Sequence, residues 1–177
     1  MKKKTLALVL ALTLLVAGVV GSTLAWLTDQ TAEVKNTFTV GDINIGLTET
    51  TTDYKMVPGN TIAKDPTVTV KANSEACWLF VKVTESTDLK DFITYAIAEG
   101  WTALPGVDGV YYREVPASAA DQTFSVLAGD AVTVKSDVTR TMLETAKADA
   151  PTLTFQAYAI QRDHFATADA AWAEVSK

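Results

Sequence analysis

The chain has 177 residues but only one cysteine, Cys77, and one histidine, His164. A lone cysteine excludes an intrachain disulfide, so the fold must be held by its core alone. Cys77 lies in "EACWLFVKV" and reads as a small buried apolar residue rather than a reactive thiol. A lone histidine excludes the paired imidazoles of an HExxH zinc site within one chain. In "QRDHFA", His164 beside Asp163 reads as an ordinary loop pair, and Asp163 with Asp169 as a solvated face rather than an acid/base couple. A GxSxG elbow, a phosphate-cradling glycine loop and a repeated Asp-x-Asp calcium loop are also missing. Exposed acids could hold calcium weakly outside a cell, but no spacing specifies a site. The expectation is therefore a protein that is not an enzyme, with no catalytic residue, no cofactor and no metal.

Basic residues are few, and three of them are Lys2, Lys3 and Lys4. An apolar run from Leu6 to Val20 follows, and Thr23-Leu24-Ala25 offers small residues where a signal peptidase reads. This order predicts a signal helix over residues 1–25, cut between Ala25 and Trp26; a cut after Gly21 is the other option. No charge falls between Lys4 and Asp29, so membrane contact is expected only through the segment left uncut. No cysteine follows the apolar run closely, which excludes a lipidated start. "LPGVDG" lacks the threonine of a wall-sorting signal, and "AAWAEVSK" is no apolar tail. Removing residues 1–25 takes three lysines and no acids, leaving 12 basic and 21 acidic residues, a net charge of −9. Nucleic acid is excluded as a partner, since phosphate binding needs clustered Lys and Arg.

What is abundant is short apolar alternation between turn residues, the pattern of an all-β domain. In "NTFTVGDINIGL", Phe38 and Val40 share one parity while Ile43, Ile45 and Leu47 share the other, so a bulge or bend belongs at Gly41-Asp42. "VPGN" at 57–60 is a turn. "PTVTVKA" predicts a strand with Val68 and Val70 inward. "ACWLFVKV" is apolar on both parities, which predicts a central strand covered on both faces. "FITYAIAEGW" alternates with Ile93, Tyr95 and Ile97 on one face, and strand is favoured over helix. Asp108-Gly109 predicts a hairpin turn. "TFSVL" and "AVTV" follow as strands, and "PTLTFQAYAIQ" as a long one opened by Pro151. "TRTMLETAKADA" predicts a helix. Thr167 predicts the cap of a second, "ADAAWAEV", which sets Trp172 against the body. Eight or nine strands and two short helices predict a jelly-roll-like antiparallel β-sandwich. The expected divisions are a signal peptide over 1–25, an extension over 26–36 and one domain over 37–177.

The start of the processed chain remains unusual. Trp26 and Leu27 are large and apolar, and "TDQTAEVKN" separates them from the first strand. Two readings stay open on the residues alone: an edge strand or hydrophobic anchor of its own domain, or a strand offered to a neighbour's sheet edge. Passing such a segment from subunit to subunit is a heterologous contact that need not close, and builds a filament.

"GSTLAWLTD" followed by "NTFTVGDINIGL" resembles the start of the TasA and camelysin family, exported proteins of Gram-positive bacteria. Ala25, Trp26, Thr28, Asp29, Asn36, Thr37, Phe38, Gly41 and Ile43 occupy that family's N-terminal pattern. "VPGN…KDPTVTVKA", "CWLFVKV" and "LTFQAYAIQ…AAW" are similar to further blocks of such proteins. The resemblance implies processing by an ER-type signal peptidase and a jelly-roll domain secreted to the cell surface or biofilm matrix. It further implies fibres built by donor-strand exchange, with this chain or related matrix subunits as partners. The donor would run from Trp26 through Leu27, Thr28 and Asp29 to about Val34, leading into the strand from Phe38. The alternative it leaves is a non-polymerising surface or adhesin-like binding protein of the same fold. Camelysin-like members have been classed as metallopeptidases, a role that one histidine does not support.

Overall fold

The computed structural model describes Lys3 and residues 42–51, 54–147 and 150–177. The chain divides into units 1–39 and 40–177, and the described residues beyond Lys3 all belong to the second. The expected signal segment, its cleavage at Ala25–Trp26 and the assembly residues Trp26, Leu27, Thr28, Asp29, Val34 and Phe38 lie outside the described residues.

The described body is mostly antiparallel β-sheet with a few short helices, consistent with an all-β sandwich. Its strands are β1 (Ile45–Thr48), β2 (Thr61–Ala63), β3 (Thr67–Val70), β4 (Cys77–Glu85), β5 (Ile93–Thr94), β6 (Thr102–Ala103), β7 (Val110–Val115), β8 (Gln122–Ser125), β9 (Ala131–Val134) and β10 (Leu153–Gln161). The helices are α1 (Leu89–Phe92), α2 (Arg140–Ala146) and α3 (Ala168–Val175). Three sheets form, in the orders β1-β3-β8, β10-β4-β7-β6 and β2-β9-β5.

The second sheet is the spine. Cys77 to Val81 in β4 are buried without interruption, because both faces of that strand are covered, as its two apolar parities require. On one face Leu79, Val81 and Val83 join Val68 and Val70 of β3 and Val115 of β7 in the main core. On the other, Trp78 and Phe80 meet α3, whose Trp172 ring lies 5.3 Å from Phe80 and 5.2 Å from Tyr158. Thr167 caps α3 by accepting from the Ala170 amide at 3.3 Å, and Thr139 caps α2 in the same way from Met142. A further core gathers Leu89, Phe92, Leu127, Val132 and Val134 under the third sheet.

The turn at 57–60 closes with Asn60 donating to the Val57 carbonyl at 3.0 Å, and Gly59 supplies the positive φ of 80° it requires. One expectation changes. "FITYAIAEGW" does not make one strand: α1 leads into the two-residue β5, and Ile97 forms an isolated bridge to Leu127. The cause is that the segment crosses between cores, with Ile93 in the third-sheet core and Tyr95 and Ile97 touching both. "TFSVL" and "AVTV" form β8 and β9, which are neighbours in sequence but pair in different sheets. The break between them is a short 3-10 turn over Ala128–Asp130, with Gly129 at φ 67°.

Candidate assembly site

Every residue of β10 pairs with β4, from Leu153 opposite Glu85 to Gln161 opposite Cys77. Its other edge has no hydrogen-bonded partner strand among the described residues, and β1 lies close beside it. Nine residues at about 3.3 Å each make an edge of roughly 30 Å. Leu153, Phe155, Ala157 and Ala159 point toward the main core, yet none is fully buried. The facing edge behaves alike: Ile45 and Leu47 of β1 pack on the same core and are also only half-covered. Strand β1 pairs with β3 alone among the described residues. Between the two edges lies an open groove lined by Leu47, Glu49, Lys64, Pro66, Leu153 and Phe155. A second hollow, floored by Met56, Ile62, Leu89 and Val132, shares Lys64, Leu153 and Thr154 with the first.

Lys64 stands where the two hollows meet. It is the one buried charged residue among those described, at 6% exposure. Its Nζ donates to Glu49 Oε1 at 2.5 Å, and both side chains are largely withdrawn from solvent. The Tyr54 hydroxyl donates to the same oxygen at 2.8 Å. The ammonium also lies 4.7 Å from the Tyr54 ring centre and 5.4 Å from that of Phe155, a cation held by aromatic faces as well as by a carboxylate. Burial, then the Glu49 carboxylate, raises the Tyr54 phenol far above its ordinary range, so it remains a donor. Beside the pair, Asp65 accepts from the Thr50 amide and hydroxyl, contacts that hold its carboxyl below the ordinary value.

Both members of the pair continue inward-facing rows. Glu49 follows Ile43, Ile45 and Leu47 at spacing two; Lys64 sits between Ile62 and Pro66, ahead of Val68 and Val70. A charge on the inward parity of an alternating run was the signal available in the sequence, and sequence reasoning passed over both residues. It passed over Arg113 too. That guanidinium lies 4.0 Å from the Phe124 ring centre and 5.3 Å from that of Trp101, and burial lowers its pKa.

The remaining candidates stay apart. His164 and Asp163 are exposed in a 3-10 turn, and Asp169 is exposed in the first turn of α3. Among the described residues, no three His, Cys, Asp or Glu side chains gather as a metal site would require. No helix among them is long and apolar enough to cross a membrane. Cys77 is a free, fully buried thiol, and burial pushes its pKa up to about 11.

No protein-family model matches the chain, and neither curated proteins nor solved structures yield a match.

Proposed function

We propose that this chain is a secreted structural subunit of the cell surface or biofilm matrix that assembles into fibres. Each jelly-roll-like body receives residues 26–34 of the next copy along the β10 edge that has no partner strand among the described residues. The observation that carries this reading is the β10 edge, which has no partner strand among the described residues and whose core-facing side chains are only half-covered. A half-covered apolar row beside backbone that lacks a partner strand is a template for a further strand. The segment from Trp26 to Val34 is nine residues long, as β10 is. Its resemblance to the N-terminal block of TasA-like proteins supports the same assignment. Burying Trp26 would contribute roughly 1.5–3 kcal/mol, and the added backbone ladder more.

Export gives the assembly its timing. While residues 1–25 remain attached, Trp26 is not a chain terminus, and cleavage after Ala25 frees the donor. Electron microscopy of the mature chain, begun at Trp26, tests the reading against a version carrying a blocking N-terminal extension. Fibres are expected from the first and not the second. Trp26→Ala, or removal of residues 26–34, is expected to leave a folded monomer. Fibres from the deleted chain would overturn the donor assignment. Monomers from every version would instead favour a surface-binding protein that keeps its N-terminal strand at home.

A further inference from the structure

The groove beside β10 holds one charged pair, Glu49 with Lys64, whose hydrogen bonds are already made. We infer that the Glu49–Lys64 pair is a register stop: it fixes where along β10 an incoming strand from a second copy can seat. The inference rests on the donor-strand reading above and adds to it the residues that decide alignment.

A strand added to an edge can slip by two residues and still turn the same face inward. Something other than facing must then choose among registers. Two rows alternate in the segment 26–34. Leu27, Asp29, Thr31 and Glu33 include both acids, so the row set against the core is Trp26, Thr28, Gln30, Ala32 and Val34. This row is large at its ends and small or polar between them.

On the acceptor side, Lys64 Nζ lies over Phe155, the third residue of β10. With nine residues laid against nine, the incoming residue beside Phe155 is Ala32 if the strands run antiparallel and Thr28 if they run parallel. Both are small enough to lie against the pair without disturbing it. A slip of two residues in one sense brings Val34 or Trp26 to that place. Either would crowd the pair and strip it of partners, which is costly for a buried charge. A slip in the other sense brings Gln30 to the pair and leaves one end of the β10 edge uncovered. A buried polar pair that fixes register at some cost in stability is a known use of such groups.

The test is a disulfide scan of assembled mature protein. Gln156→Cys on the solvent-facing row of β10 is combined, one at a time, with cysteine at Leu27, Asp29, Thr31 or Glu33. Cys77 is fully buried and stays out of the exchange. End-to-end seating pairs Gln156 with Thr31 in the antiparallel case and with Asp29 in the parallel case. The expected result is intermolecular cross-linking at one of these positions alone. In a Lys64→Met, Glu49→Leu double variant, which keeps the volume and removes the charges, cross-links are expected to spread to neighbouring positions. Lys64→Arg with Glu49→Asp retains a charged pair and is expected to hold the single position, and it serves if the apolar variant does not fold. Several cross-linked positions in the unaltered chain, or one unchanged position in the apolar variant, would overturn the stop while leaving donor exchange intact. Loss of the single position in the Arg/Asp variant would do the same. Fibres with no cross-link at any of the four positions would remove β10 as the acceptor edge, and the stop with it. An absence of fibres altogether would overturn the donor reading itself.

Discussion

At the scale of single residues, the Lys64–Glu49 pair is the feature on which most depends. Two charges taken out of water are tolerated only when each satisfies the other, and here Tyr54 supplies a further hydrogen bond to the carboxylate. Truncating one member strands the other. Lys64→Ala is therefore expected to destabilise the body by roughly 3–5 kcal/mol, measured by urea unfolding of the mature chain. A loss under 1 kcal/mol would show that solvent reaches Glu49 freely. The exposed pairs Lys71–Asp121 and Arg162–Glu114 bring no such dependence, because water screens both partners. The contrast explains why counting charges along the sequence missed the site. Lys64 and Glu49 are fifteen residues apart, and neither belongs to a recognisable motif; only their parity with Ile62 and Leu47 marked them as inward.

At the scale of elements, the hairpin leading into β7 shows how a turn can be fixed by a neighbour. Gly109 adopts φ 71°, and its carbonyl accepts from the Val83 amide at 2.7 Å. A Cβ at this position would collide with the Val83 carbonyl oxygen, a backbone atom that cannot swing away. Gly109→Ala is expected to cost more than about 1 kcal/mol, from the left-handed backbone and the collision together, seen as a lowered thermal midpoint. A midpoint that does not move would mean that the β4–β7 edge yields easily. The turn itself was legible from Asp108-Gly109, as were β3 from Val68 and Val70, central β4 from its two apolar parities, and α3 from the Thr167 cap. Such elements are set by local periodicity and side-chain chemistry. Sheet membership was not legible. Strands β8 and β9 follow one another with a single turn between them and yet separate into two sheets, because Val126 and Leu127 are drawn into different cores. Nothing in a local pattern records that division, and for the same reason "FITYAIAEGW" kept its inward parity while losing its strand.

At the scale of the whole molecule, the open edge of β10 and the net charge act in opposite directions. An edge without a partner strand promotes association, whereas a chain cut after Ala25 would carry −9 and repel its own copies. The two forces differ in range. Strand addition works at contact, while charge acts over a Debye length, about 30 Å at 0.01 M salt and about 8 Å at 0.15 M. Charge therefore limits the encounter more than the final contact, and, on the fibre reading proposed above, raising salt over this interval is expected to speed growth at fixed protein concentration. Light scattering of the mature chain follows the rate, and electron microscopy of the end point checks that the fibres are the same. A rate unchanged by salt would place the slow step after encounter, in the seating of residues 26–34 along the edge. The two cases separate further with Lys64→Met, Glu49→Leu: if the pair sets register as proposed, a seating-limited fibre changes its growth rate in this variant, and an encounter-limited one does not.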